Sequence, residues 1–322
     1  MDRNELRKLI VGPIATVPTP FDDDYEVDYG RMHELTQQWV DEGIVAGKGV
    51  IKIAAAMGEG PMLSDDEWPY LLRTTVQAAD GKAAIVCGLH YKDTKRTVED
   101  AKRAQGMGAI GLQICPPIFN LPSQGDLLDY FGEISDAIDI GIMVYCTHWM
   151  PGGRVEVDTI LRMADIEQVA AIKWSTPDDI AFEEMEKFSS TFNVIDNSSM
   201  PSENHKLGGR GYINVTYESY PQHDNKIWEM LESGKYDEAQ ALFDSVNEPL
   251  REFDEKLSGR SGGQARLKKG LMALMGRPVG SSRPPSKPLT ADEMEGLRRV
   301  LLDLGWPVKS SSREAAAAAA GD

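Results

Sequence analysis

The sequence predicts a (β/α)8 barrel. Short apolar runs alternate with amphipathic helical patterns along most of the chain, an order that is typical of parallel α/β folds. Eight such runs occur, which is the strand number of a closed barrel of this kind. The length of 322 residues suits such a barrel with a few additional helices.

The predicted strands are short and apolar because a parallel barrel covers both faces of its sheet. They lie at 12–21, 49–60, 83–89, 109–117, 141–149, 169–173, 192–199 and 211–216.

Residues with helical spacing before and between the strands predict the helices. Ser64, followed three residues later by Glu67, forms a capping box at the start of the third of them. The predicted helices lie at 1–11, 28–44, 63–79, 94–105, 123–138, 156–164 and 177–190.

Further helical patterns follow the eighth strand. We expect a catalytic barrel over residues 1–235 and a helical region over residues 236–308. The remaining residues, 309–322, contain an alanine run and are predicted to form a disordered tail. The predicted helices in this part of the chain lie at 224–233, 236–257, 263–275 and 291–304.

The composition excludes several classes of partner. The formal net charge is −17, whereas nucleic acids and anionic membranes bind basic surfaces. An anionic small substrate is not excluded, because the local field of a site can oppose the global charge. The polar amino terminus contains no signal-peptide core, and no apolar run is long enough to span a membrane. We therefore expect a cytoplasmic protein.

Three cysteines, Cys87, Cys115 and Cys146, each border an apolar run. Their spacing is not that of a metal site, and the sequence contains no recognisable metal-binding cluster. We expect these thiols to be buried in a protein of a reducing compartment, and we expect no metal cofactor.

The most informative stretch is VAAIKWST, at 169–176. Its apolar residues predict a buried strand, and Lys173 lies at the carboxyl end of that strand, where barrel enzymes keep their functional residues. Lys173 is the only lysine that directly ends a predicted strand. Burial lowers the pKa of a lysine, and its neutral amine can attack a carbonyl to form a Schiff base. Taken alone, the stretch more often indicates a lysine that reaches into solvent.

Tyr145 ends the predicted strand that precedes the Lys173 strand. A tyrosine beside a Schiff-base lysine can transfer protons while the carbinolamine forms and loses water. A packed aromatic ring with a hydrogen-bonded hydroxyl is the alternative. We favour the catalytic role because titratable groups converge at active sites.

Several segments together resemble the dihydrodipicolinate synthase / N-acetylneuraminate lyase family of class I aldolases, over about residues 10–306. AAAMGEGPMLSDDEW is similar to the family's Gly-Thr-Thr-Gly-Glu motif with its Leu-Ser segment, and PPIFNLPSQGDLLDYF to its Tyr-Tyr-Asn-x-Pro-Ser-Gln segment. Tyr145 and Lys173 lie 28 residues apart, which fits the family's tyrosine-to-lysine interval. GGRGYINV resembles the eighth strand, and SSRPPSKPLTADEMEGLRRVLLDLGW the carboxyl-terminal helix.

The resemblance implies a Schiff base at Lys173 with proton transfer by Tyr145, and no cofactor other than this covalent bond to substrate. It implies small-molecule partners, namely a 2-oxo acid such as pyruvate and an aldehyde. It also implies a homotetramer built from two dimers. Ile213, on the eighth strand, is a predicted substrate contact.

This sequence departs from the family pattern after the second strand. Ala56 and Met57 replace two hydroxyl residues, of which one joins the family's proton relay and the other helps to hold the substrate carboxylate. The backbone N–H groups of this loop can still bind an anion, helped by Gly58. Phe119 replaces a second tyrosine, so that a phenol is absent from the relay across the dimer.

The segment after the fifth strand also departs from the family. Cys146, Thr147 and His148 occupy the place of an Asn-x-Pro sequence. Met150 falls where the family's synthases use an arginine for a second carboxylate, and Arg154 is near but requires a different loop path.

Other polar residues at the strand ends allow two interpretations. His148 is a loop histidine at the pocket mouth, or a base or hydrogen-bond donor that compensates for the missing hydroxyls. Glu59 is expected to orient backbone or a neighbouring loop. A group after the seventh strand could bind substrate hydroxyls or cap the next helix. This group consists of Asp196, Asn197, Ser198 and Ser199.

The residues and the resemblance together predict a Schiff-base-forming lyase or aldolase that acts on a 2-oxo acid. One alternative is a dehydratase or hydratase-aldolase for a substrate with an apolar or aromatic arm, because Met57, Phe119, Trp149 and Met150 make the pocket less polar. Another is a non-catalytic binding protein on the same barrel, favoured by the lost hydroxyls and opposed by the retained lysine and tyrosine. A metal-dependent barrel lyase is the least favoured.

Overall fold

The computed structural model describes residues 1–90 and 92–309. Within these residues, eight parallel strands form a closed barrel, in which each strand pairs with the next and the eighth pairs with the first. The predicted (β/α)8 barrel is therefore confirmed. The predicted tail, apart from its first residue, lies outside the described residues.

The strands are short, and nearly every residue in them is buried. They are β1 Gly12–Thr16, β2 Val50–Ile53, β3 Ala84–Leu89, β4 Gly111–Ile114, β5 Gly141–Tyr145, β6 Val169–Trp174, β7 Asn193–Asp196 and β8 Gly211–Asn214.

One helix precedes the barrel, helices follow the strands, and three more end the described part of the chain. They are α1 Arg3–Leu9, α2 Tyr29–Asp41, α3 Glu67–Ala79, α4 Thr94–Gly106, α5 Gln124–Ser135, α6 Val157–Arg162, α7 Glu186–Ser189, α8 Pro201–Lys206, α9 Pro221–Glu232, α10 Tyr236–Ser258, α11 Arg266–Leu274 and α12 Ala291–Asp303.

Two helices differ from the prediction. The helix expected over 177–190 is only a 3₁₀ turn, Phe182–Met185, followed by the single turn of α7. Thr176 precedes a proline, which disfavours helical backbone there. Helix α8 was not predicted, because six residues are too few to show a periodic pattern.

The predicted capping box is present, since Ser64 and Glu67 exchange side-chain and backbone hydrogen bonds.

Alternate residues of each strand face opposite sides of the barrel wall. One set, which includes Ile14, Val50 and Met143, packs inside the barrel and is closed at the amino-terminal end by Leu6 and Ile10 of α1. The other set packs between the barrel and the surrounding helices, and includes Ile51, Val144, Trp174 and Val194. The side chains with access to the barrel axis follow directly from this alternation.

Helix α11 crosses the carboxyl-terminal end of the barrel and is attached to it by two buried lysines. Lys268 forms an ion pair with Glu218, which follows β8, and both side chains are fully buried. Lys269 pairs with Glu59 at 2.9 Å and donates to the carbonyl of Thr19 at 3.0 Å. These contacts hold the carboxyl-terminal helices against the face where the functional residues were expected.

Candidate active site

The last inward-facing residues of the four even-numbered strands form a layer near the carboxyl-terminal end of the barrel. Barrels of this fold fill their interior with such layers, each made by four side chains from alternate strands. In this chain the four residues are Lys52, Gln113, Lys173 and Ile213. The predicted contact Ile213 therefore shares its layer with Lys173.

Lys173 and Tyr145 are neighbours in the sheet, because their Cα atoms are partners in the register between β5 and β6. The amine of Lys173 lies 3.5 Å from the centre of the Tyr145 ring, and both side chains are buried. The structure thus brings together the two residues that were predicted to form the catalytic pair.

The environment of Lys173 favours its neutral amine. Burial lowers the pKa of Lys173 to about 7, the nearby Cys115 raises it, and the charge of Lys268 lowers it. An ordinary lysine has a pKa of about 10.4 and is almost entirely protonated at neutral pH. A substantial fraction of Lys173 is therefore a nucleophile at physiological pH, as a Schiff-base lysine must be.

Lys268, which lowers the pKa of Lys173, lies on helix α11 and not on a strand. Its amine donates to the carbonyl of Asn214, the last residue of β8, at 3.3 Å. Burial raises the pKa of its partner Glu218 to about 7 against the effect of the lysine. Sequence reasoning missed this ion pair, because Lys268 and Glu218 lie 50 residues apart on segments whose contact only the fold creates.

Lys52 was also missed, and it corrects the expectation that Lys173 is the only lysine to end a strand. Lys52 is the penultimate residue of β2, as Lys173 is of β6. Its side chain is fully buried, and its amine donates to Gln113 Oε1 at 2.7 Å. The alternating pattern that places Lys173 inside the barrel could also have indicated Lys52.

The loop after β2 forms a strained turn. Ala56, Met57 and Gly58 make a 3₁₀ turn, which Ala54 (φ 50°) and Glu59 (φ 61°) flank in left-handed backbone. Such backbone is unfavourable for residues other than glycine and is concentrated at functional sites. A Cβ atom at Gly58 would lie 2.7 Å from the carbonyl oxygen of Val17, so this turn requires glycine.

Ala56 and Met57 are half-buried at the first positions of that turn. The first N–H groups of a helical turn have no acceptor within the turn. The predicted anion binding by this backbone thus fits the geometry, although it stays a prediction. Glu59 points away from the turn toward Lys269, in agreement with its expected role in orienting a neighbouring segment.

The group after β7 does not point into the barrel. Asp196 is on the same side of its strand as Val194, which packs toward the helices. Its carboxylate accepts the backbone N–H groups of Ser198 and Met200, both at 2.8 Å. Burial raises the pKa of Asp196 to about 6, and these N–H groups lower it. These contacts hold the loop itself, which is neither of the two predicted roles, because the side chain does not face the barrel axis and α8 has no side-chain cap.

Its neighbours make similar local contacts. Asn197 donates to Ser175 Oγ at 2.7 Å, and Ser198 Oγ accepts the backbone N–H of Thr176 at 3.2 Å. These bonds join the loop after β7 to the segment that follows Lys173, so the loop supports the end of the strand that carries Lys173.

Three aromatic residues on the loops after β4 and β5 differ in their exposure and contacts, namely Phe119, Trp149 and His148. Phe119 is 84% exposed, so the structure does not bring it to Lys173 of the same chain. Trp149 is 51% exposed and contacts both Tyr145 and His148 edge-on, with ring centres 5.9 Å and 5.0 Å away. His148 Nδ1 is buried and has no hydrogen-bond partner among the described residues. A polar substrate group could satisfy this atom, so the role of His148 stays open.

Arg154 does not replace the arginine that is absent at Met150. Its guanidinium contacts Glu156 Oε1 and Asp179 Oδ1, each at 2.8 Å. These two carboxylates hold the pKa of Arg154 above its ordinary value. Because its donors already bind two acids of its own chain, this side chain is unsuited to bind a second substrate carboxylate.

His90 and Cys115 are further residues near Lys173 that sequence reasoning left without a role. His90 Nε2 lies 3.1 Å from the carbonyl oxygen of Ala54 and must donate to it, so Nδ1 accepts the thiol of Cys115 at 3.3 Å. Burial lowers the pKa of His90 to about 4 and raises that of Cys115 to about 12. Neither group exchanges protons readily at neutral pH, and the pair instead braces the strained turn after β2.

All three cysteines are buried, as expected. Within residues 1–90 and 92–309, no three His, Cys, Asp or Glu side chains converge as metal ligands. None of the helices in these residues is both long and apolar enough to cross a membrane.

The fold and the site define a parallel barrel with a buried lysine of lowered pKa and a tyrosine at the carboxyl ends of adjacent strands. The sequence model of the Dihydrodipicolinate synthetase family matches residues 10–303. The chain therefore belongs to this family, as the resemblance of its motifs predicted.

Relatives that are named as synthases resemble the chain over nearly its whole length. It is 29% identical to 4-hydroxy-tetrahydrodipicolinate synthase 1 of Halalkalibacterium halodurans, with 89% of this chain and 95% of that protein covered. It is 28% identical to the 4-hydroxy-tetrahydrodipicolinate synthase of Acidothermus cellulolyticus, with 94% and 95% covered.

Solved structures show the same fold. Dihydrodipicolinate synthase from Thermotoga maritima superposes with a TM-score of 0.80 at 25% identity, over 92% of this chain and 99% of that one. A monomeric dihydrodipicolinate synthase variant superposes with a TM-score of 0.81 at 25% identity, over 93% and 98%.

The lowered pKa of Lys173 predicts how its reactivity depends on pH. The neutral amine is the reactive form, so the rate of acylation or reductive alkylation at Lys173 should rise with pH and be half-maximal near pH 7. Exposed Lys95 on α4 provides the internal control, because its amine lacks the burial that lowers the pKa of Lys173. Peptide mapping after brief labelling across pH 5–10 measures both residues, and coincident profiles would contradict the prediction.

Proposed function

We propose that this protein is a class I lyase or aldolase in which Lys173 forms a Schiff base with a 2-oxo acid of the pyruvate type. The observation that carries the proposal is the buried amine of Lys173, with a pKa near 7, in contact with Tyr145 at the end of the barrel. Membership of a family whose characterised relatives are named as synthases supports it. A structural neighbour from Acinetobacter baumannii is described as a complex with pyruvate.

The chemistry needs only the chain's own residues and the substrate. The amine of Lys173 adds to the 2-oxo carbon, and loss of water leaves an iminium ion. The iminium draws electrons from the adjacent carbon, so a bond to that carbon can form or break. Tyr145 transfers protons to and from the oxygen that leaves as water. The reaction requires no cofactor beyond this covalent bond.

The aromatic surroundings of the site favour one variation of this function. Trp149 lies edge-on to Tyr145 at the opening, Met150 follows it in the same loop, and Met57 lies in the turn after β2. A substrate with an apolar or aromatic arm would gain contacts there that a polyol or dicarboxylate would not. A dehydratase or hydratase-aldolase for such a 2-oxo acid is therefore the second candidate.

Self-association is part of the proposal. Three large apolar side chains on the loops after β4 and β5 are exposed, namely Phe119, Leu121 and Trp149. Exposed apolar groups of this kind are typical of interfaces between subunits. They support self-association, and the resemblance implies that its form is a homotetramer, a dimer of dimers. The proposed location is the cytoplasm.

Lys173 should form the covalent adduct. Incubation with pyruvate and borohydride should add one reduced pyruvyl group per chain, because the iminium is reduced to a stable secondary amine. Intact mass and peptide mapping identify the position, and Lys173→Met is the matched control. Labelling at another residue, or no labelling with any 2-oxo acid in a panel, would exclude the proposed mechanism.

Tyr145→Phe should lower turnover by roughly 10²–10⁴-fold, the usual effect of removing a positioned acid–base group. With Ala56 and Phe119 in place of the family's relay residues, Tyr145 is the main phenol left for proton transfer. Steady-state rates of the variant and the parent protein, with a substrate found by the trapping screen, measure the effect. An unchanged rate would assign proton transfer to His148 or to water.

The protein should be a poor dihydrodipicolinate synthase. Met150 cannot bind the carboxylate of aspartate semialdehyde as an arginine would, and Arg154 is occupied by Glu156 and Asp179. The loss of one charge-assisted contact costs about 1.5–3 kcal/mol, or one to two decades in rate. A coupled assay with pyruvate and aspartate semialdehyde, run beside an established synthase, tests this. Comparable catalytic efficiency would show that another group binds the second carboxylate.

A further inference from the structure

Lys52 is the feature of this barrel that the proposed mechanism leaves without a role. It faces the axis from β2, on the side of the eight-stranded barrel opposite to Lys173 on β6. Its side chain has no exposed surface, and its amine lies in the layer that contains the reacting amine. A fully buried lysine is costly unless a partner stabilises its charge.

The structure provides Lys52 with a polar partner but no counter-ion. The amine donates to Gln113 Oε1, and within residues 1–90 and 92–309 no carboxylate lies at ion-pairing distance from it. Gly88 faces inward on the strand between them, so no side chain blocks this bond. Burial lowers the pKa of Lys52 strongly, and the charges of Lys173 and Lys268 lower it further.

Two side chains beside Lys52 are hydrogen-bond donors without acceptors. Gln113 Nε2 and Thr16 Oγ1 are buried and have no partner among the described residues. Thr16 is the register neighbour of Lys52, and Gln113 binds it directly. An unsatisfied buried polar group costs free energy, so this cluster is incomplete in the unliganded chain. What the cluster lacks is an acceptor with negative charge.

A 2-oxo acid supplies such an acceptor. Its carboxylate is bonded to the carbon that Lys173 attacks, so covalent attachment brings the anion into this layer of the barrel. Meanwhile Ala56 and Met57 lack the hydroxyls that would otherwise bind it. An arriving carboxylate also favours the ammonium form of Lys52, which strengthens the contact.

We propose that Lys52, supported by Gln113 and Thr16, binds the carboxylate of the 2-oxo acid and selects charged over uncharged carbonyl substrates. This inference rests on the proposed function, because it assumes that the carbonyl carbon is attached to Lys173. The turn after β2 lacks the hydroxyl side chains for this contact. The proposal assigns the contact to a residue inside the barrel instead.

Pyruvate and methyl pyruvate separate this role from a structural one, since they share the reacting ketone and differ in charge. Borohydride trapping, quantified by intact mass, gives the half-saturating concentration of each. Lys52→Met removes the charge and keeps a long unbranched side chain, and Lys52→Gln removes the charge and keeps a donor. Lys95→Met, at a position 85% exposed on α4, is the matched control.

The parent protein and Lys95→Met should trap pyruvate at a concentration at least about 10-fold lower than methyl pyruvate. In both Lys52 variants the half-saturating concentration of pyruvate should rise about 10- to 100-fold, the usual effect of losing a charged contact. The value for methyl pyruvate should change less than about threefold. Circular dichroism and thermal unfolding establish that the variants fold, and the polar Gln variant covers the case in which Met is not tolerated.

Three outcomes would overturn the proposal. Unchanged pyruvate trapping in both variants would show that Lys52 does not bind the carboxylate. An equal loss for the two ketones would show that Lys52 acts on the Lys173 amine instead. An adduct mapped to Lys52 would make it the nucleophile. A parent protein that traps no 2-oxo acid would instead refute the proposed function itself, so the two failures are distinguishable.

Discussion

The exclusion of water from the carboxyl-terminal end of the barrel is the physical constraint on which the candidate site depends. Moving an ammonium ion out of water costs more free energy than moving a neutral amine. Burial therefore lowers the pKa of a lysine and favours its nucleophilic form. Burial is the largest cause of the lowered pKa of Lys173. Buried apolar residues fill the barrel beneath it.

The carboxyl-terminal helices maintain that exclusion. Helix α11 brings two buried lysines to the top of the barrel, and each finds a carboxylate on a loop that follows a strand. A buried ion pair is not strongly stabilising by itself, because desolvation of both charges offsets their attraction. Its value here is specificity of position, since either lysine would be left as an unpaired buried charge if the helix moved. The charge of Lys268 also lowers the pKa of Lys173, so the lysine that positions the helix affects the protonation of Lys173 as well.

The proposed role of Lys52 would move the binding of a substrate anion from the turn after β2 to the barrel strands. The turn after β2 keeps its backbone shape and its glycine but carries Ala56 and Met57 in place of hydroxyl residues. One layer of inward side chains instead contains Lys52 and Gln113, which bind each other across β3. Such a change moves the selective contact from a loop to rigid strands, where side-chain positions are set more accurately.

The sequence by itself determined the barrel, because apolar runs of strand length alternate with helical patterns and leave few other arrangements that bury both faces of a parallel sheet. It also predicted that Lys173 and Tyr145 lie together, since residues at the carboxyl ends of neighbouring barrel strands converge at one end of the closed barrel. Short or irregular elements such as α7 and α8 escaped prediction, because one or two turns contain too little periodicity.

Only the tertiary structure decided which polar residues face the axis and which face the helices. A shift of one residue along a strand reverses the direction of a side chain, so Asp196 turned outward to hold its own loop while Lys52 turned inward. Contacts between distant segments, such as Lys268 with Glu218 and Arg154 with Asp179, likewise depend on how helices and loops cross the barrel. Local sequence patterns carry the periodicity of single elements, whereas these pairings arise from the packing of one element on another.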